Sequence, residues 1–352
     1  MKKVSVLIPV YNHELYLKRF LKSLDRQDYE NIEYIAVDDG STDKSLDILR
    51  EYEKNNKNFK VITQENQGVT GAKRTALNNA QGDYIAVIES DDYISENYIK
   101  DLVEQMEKTD TNICNPRYAV SLEGPLISKL KFYSAKRPDR GFDLKKEKKA
   151  LLMVNVTQCK LYKREYYHLT DKYFRINEDL CMTYLNSALA EHISFSNNAI
   201  YHYLPNKNGL VSKELSGYGI NKVKNFVLPL AELKNNFEKY NLYDEYKEEI
   251  EGIFIKNYME HISDIIFRVK KSFEQEEMIE ILLSMLHHYF PNWRDNKYYK
   301  ENLKGIELTD VFRTLIFNTY DKLHILKEYG SPIENLLENY EEKVKKYELH
   351  YK

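Results

Sequence analysis

Two acidic clusters stand out in the N-terminal part of the chain: Asp38-Asp39, and further on Glu89-Ser90-Asp91-Asp92. Carboxylates are hard oxygen ligands suited to Mg²⁺ or Mn²⁺. An ion of that kind suits a diphosphate, because it bridges phosphate oxygens and stabilises the charge on a leaving group. Asp and Ser also favour turns, so on residue type alone an acidic turn accounts for Glu89–Asp92 as well as a metal site does. A second acidic pair at another strand end of the same sheet tips the balance toward chemistry. A third pair, Glu178-Asp179, stands just before an apolar helical run beginning at Leu180. It reads either as a carboxylate base for an acceptor hydroxyl or as a helix cap supplied by Asn177 or Asp179.

These residues can meet only if the intervening segments bring them to one place. Val4–Val10 is a short apolar run interrupted by Ser5 and Pro9, and it reads as a buried strand. Leu17, Phe20, Leu21 and Leu24 then fall at i, i+3, i+4 and i+7, one face of a helix. Tyr34–Val37 is a second strand, stopped by Asp38-Asp39-Gly40, after which Ser41 or Asp43 can cap a helix through Leu46 and Leu49. Phe59–Thr63 is a third strand, followed by a small-residue helix face at Ala72, Ala76 and Ala80. Tyr84–Ile88 is a fourth strand, and Ile99, Leu102, Val103 and Met106 mark the next helix. The alternation predicts a parallel sheet with helices on both sides. Ligands of such sheets bind beyond the carboxyl ends of the strands, where Tyr11-Asn12, Asp38-Asp39 and Glu89–Asp92 are expected to gather.

Between about 112 and 212 the signals are mixed. Pro116, Gly124-Pro125 and Lys136–Arg140 read as loops, and Val154–Tyr162 and His192–Tyr203 as strands. From about 217 helical patterns dominate, including Ile253, Phe254, Tyr258, Ile262 and Ile265, and then Met278–Leu286. The expected organisation is a catalytic domain over 1–215, with halves at about 1–110 and 111–215, and a mainly helical region over 216–352.

The chain resembles the family 2 glycosyltransferases of the GT-A fold. The resemblance rests on Val4–Asn12, Val37-Asp38-Asp39-Gly40-Ser41-Thr42-Asp43, Asn66-Gln67-Gly68-Val69 with Ala72-Lys73-Arg74, and Gly82-Asp83-Tyr84-Ile85 leading into Glu89–Tyr93. Their order and spacing agree across about 95 residues. The resemblance implies a Rossmann-like mixed sheet flanked by helices. It implies that Pro9 and Tyr11 line the base and ribose of a UDP-sugar, that Asp39 accepts the uracil N3 proton, and that Asp91 is the main ligand of Mn²⁺ or Mg²⁺. Glu89 and Asp92 would hold the ribose or a second coordination position. Asp179 would be the base of an inverting transfer, with Glu178 and His202 near the acceptor. That acceptor would be a glycan, a teichoic-acid-like polyol phosphate or a lipid-linked hydroxyl, as in bacterial enzymes that build surface polymers. Two positions depart from the family pattern. Glu89 stands where Asp is usual. Ala72-Lys73-Arg74 stands where the family has Ala-Arg-Asn, leaving either Lys73 or Arg74 to meet the diphosphate.

Two other classes compete: a transferase-like module that binds nucleotide or glycan without turnover, and a phosphoacceptor receiver domain. The chain's length of 352 residues and its Glu178-Asp179 pair argue against the receiver. With 52 basic against 55 acidic side chains, the charge balance predicts no nucleic-acid partner. Three cysteines without a CxxC pair predict neither a disulfide framework nor a zinc site. No cleavage site lies behind the first strand, and no apolar run reaches the ~20 residues that span a bilayer. A cytoplasmic protein is expected, with attachment to the inner face of a membrane and self-association through the C-terminal helices left open. His202 alone in an aromatic strand reads more readily as an ordinary part-buried residue than as a ligand. His287-His288 reads as structural, and Trp293 as a packing anchor.

Overall fold

The structure is a computed structural model that describes residues 1–124, 127–132, 136–154, 159–172, 178–204, 220–268, 282 and 285–302. Pro125, Asn177, the expected boundary at 215–216 and everything beyond 302 lie outside the described residues. The chain divides into two compact units, Met1–Asn208 and Gly209–Lys352.

The first unit is built on one mixed sheet. Strands β1 (Val4–Val10), β2 (Ile32–Asp38), β3 (Phe59–Thr63) and β4 (Tyr84–Val87) run parallel in the order β3-β2-β1-β4. Helices α1 (Glu14–Leu24), α2 (Ser45–Asn55), α3 (Gly68–Asn79) and α4 (Tyr98–Thr109) alternate with them. The sheet then stops being parallel, and two further strands, β7 (Ile127–Phe132) and β8 (Phe142–Asp143), join it antiparallel. A short strand β9 (Leu161–Lys163) pairs antiparallel with both β4 and β6 (Ile113–Gly124), and β6 pairs parallel with β10 (His192–Tyr203). The two-residue strand β5 (Tyr93–Ile94) closes the order against β10. The alternation of strands and helices foretells the first half alone. Of the strand expected over Val154–Tyr162, the described residues show Leu161–Lys163 as strand, and residues 155–158 lie outside the described residues.

Residues alternate across the strands, so each face of β1 has its own cover. Val4, Val6, Ile8 and Val10 belong to one buried cluster with Leu17, Phe20, Leu21 and Leu24 of α1, and Ile99, Leu102, Val103 and Met106 of α4. Each such side chain contributes roughly 1.5–3 kcal/mol by leaving water. Helix α3 packs on β1 and β2 with Ala72 and Ala76 fully buried. Small side chains let this helix lie close to the sheet, and the adjacent Lys73 is drawn inside with them.

Part of the motif set serves this framework and not the chemistry. Gly82 N donates to Ser5 Oγ at 2.7 Å, and a Cβ built on Gly82 would stand 2.6 Å from Ser5 N. Lys3 N donates to Asp83 Oδ2 at 2.9 Å. Gly82-Asp83 thus pins the amino ends of β1 and β4, the edge away from the acidic clusters.

The second unit contains helices Ile220–Lys239 and Tyr243–Arg268 and a short helix Lys297–Asn302. Trp293 is buried and meets Tyr299 edge to face at 5.0 Å, the anchor expected of it. Among the described residues no helix is long and apolar enough to cross a membrane.

Candidate active site

Register brings the strand ends together. Val10 of β1 pairs with Asp38 of β2, and Leu7 with Val87 of β4. Asp39 N donates to Val10 O at 2.8 Å and Ser90 Oγ to Pro9 O at 2.9 Å, so the segments that follow the three strands stay in contact. Gly40 (φ 75°) turns the chain after Asp39 with its α-carbon close to Asn66, and left-handed backbone there favours glycine.

The Asp-Gly-Ser-Thr-Asp run then cross-links two helix starts. Asn12 Oδ1 accepts from Thr42 N at 2.7 Å, and Asn12 N donates to Ser41 Oγ at 3.0 Å. Asp43 Oδ2 accepts from Glu14 N, while Glu14 Oε2 accepts from Lys44 N, at 3.0 and 2.9 Å. Asp43 therefore caps α1 across space as well as supporting the start of α2 through Ser45 N. The alternative cap, Ser41, is committed to Asn12.

Asp39 is buried, and its Oδ1 accepts from Gln64 Nε2 at 2.7 Å and Gln67 N at 2.9 Å, which fixes the carboxylate against the loop before α3. Tyr11 is 41% exposed at the mouth of the site. Pro9 is buried within β1, where its carbonyl, not its ring, meets the motif.

The Glu89–Asp92 cluster divides three ways. Asp92 is buried with both oxygens engaged: Oδ2 accepts from Tyr201 OH at 2.7 Å and Oδ1 from Leu204 N at 2.9 Å. Burial and the nearby Asp91 carboxylate hold its carboxyl well above the usual carboxylate range. Asp92 thus ties the cluster to the end of β10. Tyr201→Phe would strip Oδ2 of its donor in a buried place, at a cost of about 1–3 kcal/mol. A fall in Tm with donor binding otherwise retained checks this, and an unchanged Tm refutes it. Glu89 pairs with Lys73, Nζ to Oε1 at 2.7 Å, and keeps 35% of its side-chain exposure. Asp91 keeps 23% of its side-chain exposure, and among the described residues its one close contact is His13 Nε2 at 3.9 Å.

Those described residues contain no group of three His, Cys, Asp or Glu side chains able to cage an ion. Mg²⁺ serving a diphosphate needs no cage, since one or two carboxylates suffice with phosphate oxygens and water completing the shell. Asp91, open and uncommitted to a cation, fits that use.

The third acidic pair joins the same site. Helix α5 (Glu178–Ala190) begins at Glu178, whose Oε1 lies 2.9 Å from Lys73 Nζ. Asp179 is half-buried. Burial first, then the Glu178 charge, push its carboxyl up to about 7, against the opposing pull of Lys73 and Lys160. The Lys160 ammonium is fully buried, and burial pushes it down to about 8. Arg74 turns elsewhere: its Nη2 donates to Thr170 O at 2.7 Å and lies 3.3 Å from Asp171 Oδ1. Of the two candidate cations, then, Lys73 is the one that faces the acidic site. His202 stacks flat on Tyr93 at 4.4 Å, and burial lowers its imidazole below the ordinary value, which favours the neutral ring.

Two residues here escape the sequence motifs. His13 directly follows Tyr11-Asn12, and its Nδ1 meets Ser90 Oγ at 2.6 Å; a histidine beside a strand-end pair was a usable signal. Lys160 lies in a segment without any pattern that marks it.

Residues 5–169 match the family model described as glycosyl transferase family 2. Over those residues the chain is a family 2 glycosyltransferase domain. The match ends ahead of Glu178 and Asp179. GlyA of Streptococcus pneumoniae is 39% identical over 116 residues, covering 33% of this chain and 17% of GlyA. The poly(ribitol-phosphate) beta-glucosyltransferase of Bacillus spizizenii is 28% identical over 295 residues, 81% of this chain and 45% of the relative. The chain spans between 17% and 52% of the first three curated relatives it matches. Among solved structures, Staphylococcus aureus TarS 1-349 superposes with a TM-score of 0.61 at 18% identity, over 94% of this chain and 98% of that one, a likeness of fold.

Proposed function

We propose that this chain is an inverting glycosyltransferase that moves a sugar from a UDP-sugar to a hydroxyl of a polyol-phosphate, glycan or lipid-linked acceptor. The observation that carries the reading is that one buried ammonium, Lys73, ties Glu89, two residues from the uncommitted Asp91, to Glu178, the neighbour of Asp179, a carboxyl poised at about 7. Family membership supports sugar transfer. A relative named for poly(ribitol-phosphate) supports a polyol-phosphate acceptor, and a TarS structure described in complex with UDP supports the donor nucleotide.

In this reading Tyr11 and Asp39 hold the base, the carboxylate of Asp39 already oriented by Gln64 and Gln67. Asp179 takes the proton of the acceptor hydroxyl as that oxygen forms its bond to the anomeric carbon. The bond from that carbon to the diphosphate oxygen breaks, and its electron pair departs with UDP. Positive charge builds at the sugar carbon, as in glycoside hydrolysis. A divalent ion held by Asp91 would, when bound, neutralise charge on the departing diphosphate.

A panel of nucleotide sugars with and without Mn²⁺, read by thermal shift and by donor turnover, tests this. A donor at a hundredfold excess over its Kd should raise Tm by about 5 °C or more, only with the metal present, and be consumed when an acceptor is supplied. Stabilisation indifferent to Mn²⁺ with no turnover of any donor would favour the non-catalytic binding module.

A further inference from the structure

Lys73 Nζ lies 2.7 Å from Glu89 Oε1. The same nitrogen lies 2.9 Å from Glu178 Oε1, in the helix start that carries Asp179. Lys73 has 1% of its side chain exposed, beside Ala72 and Ala76 on the face of α3 turned to the sheet. Three segments remote in sequence, α3, the β4 end and the α5 start, are thus joined through one enclosed ammonium.

We propose that Lys73 and Glu89 are a matched pair, and that Lys73 is the positioning residue that fixes Glu178 and with it the base Asp179. Reach is what the pairing conserves. An Asp at 89 would draw its carboxylate back by about 1.5 Å, one carbon–carbon bond, out of hydrogen-bonding range of Lys73. An Arg at 73 would bring a broader fork into a space filled by a single nitrogen and the longer Glu89. Either single change spoils the contact, and the two together re-create a long cation on a short acid. The inference rests on Asp179 being the base. The charges that face Asp179 are Glu178 on its own helix, Lys73 from α3, Glu89 from the β4 end and Lys160 ahead of β9. The phenols of Tyr118, Tyr162 and Tyr167 complete its surroundings. Among these groups Lys73 is the cation tied to both neighbouring carboxylates.

The test is a double-mutant cycle on the full chain with Lys73→Arg, Glu89→Asp and both, read first by Tm without ligand. Each single variant should melt lower. The double variant should melt higher than the summed losses predict by about 2–4 °C or more, because neighbours in one ion network do not act independently. Donor turnover should fall about tenfold in each single variant and recover in the double. Lys73→Met supplies a readout that a merely structural role would not move: the pH midpoint of turnover should shift upward, since Asp179 then ionises without its nearest linked cation. Additive Tm losses would overturn the pairing, and an unmoved pH midpoint would overturn the positioning role. If the unaltered chain consumed no donor, the proposed function would fall with the positioning role, while the Tm cycle would still decide the pairing.

Discussion

Replacing Asp179 by Asn is expected to lower kcat by about 10²–10⁴-fold, the range that a positioned general base contributes, while UDP affinity stays within a few fold. Asparagine keeps the shape of the side chain but cannot accept the hydroxyl proton. The unaltered enzyme should show a kcat that rises with pH through about 7, the value to which burial and Glu178 push the Asp179 carboxyl. Asp179→Asn should flatten that limb. The same shift gives a stability prediction of opposite direction. A carboxyl raised above its unfolded value binds a proton more tightly in the folded state, so its contribution is present at low pH and is lost as pH rises through about 7. At pH 8 the folded chain must hold this carboxylate ionised in a half-buried place, and Asn removes that cost. Asp179→Asn should therefore melt a few degrees higher at pH 8, with the difference narrowing below pH 7 and closing only near pH 3.8, the unfolded value. Loss of activity together with lower stability at pH 8 would mark damage to the fold and not loss of a base. Gain of stability with loss of activity is the signature of a strained catalytic group.

What the sequence made legible follows from how local each signal is. The parallel half of the sheet was readable because each strand and its covering helix carry their own period. Leu17, Phe20, Leu21 and Leu24, and Ile99, Leu102, Val103 and Met106, all lie buried as the helical spacing requires. The order of β9, β6 and β10 was not readable, because strand pairing between distant segments leaves no local period. A three-residue strand such as Leu161–Lys163 is too short to show one. The strand-end clusters were legible as a group, but the division of labour among them was not. Asp92 and Asp91 are neighbours of identical type. Only Tyr201 and Leu204, brought in from β10 and just beyond it, make one of them a structural tie and leave the other uncommitted. That Lys73 and not Arg74 faces the acidic groups likewise follows from which side of α3 packs on the sheet, a property of the tertiary arrangement. Lys160 had no signal at all, since a buried lysine beside Asp179 follows from packing of segments that sequence spacing does not relate.

Asp91→Ala should abolish the Mn²⁺ dependence of donor binding and lower turnover by about 10²-fold or more, equivalent to about 3 kcal/mol at the transition state. The size of the effect follows from how few alternatives the site has. Asp92 cannot stand in, since both its oxygens are held by Tyr201 and Leu204. Glu89 is tied through Oε1 to Lys73, and drawing it away would leave an enclosed ammonium tied to Glu178 alone. His13 reaches Asp91 at 3.9 Å, but its other nitrogen is committed to Ser90. A site with one open carboxylate loses its purchase on a cation when that carboxylate goes, whereas a caged site would retain part of it. UDP titrations by calorimetry with and without Mn²⁺ separate the two cases. In the unaltered chain the metal should strengthen UDP binding, and in Asp91→Ala the two titrations should coincide at the weaker value. Because Asp91 is partly exposed and supports no buried hydrogen bond among the described residues, the variant should keep its Tm without ligand to within a degree or two. A variant that still binds UDP more tightly with Mn²⁺ would move the metal to another carboxylate, and would require Glu89 or Asp92 to leave the partners they have here.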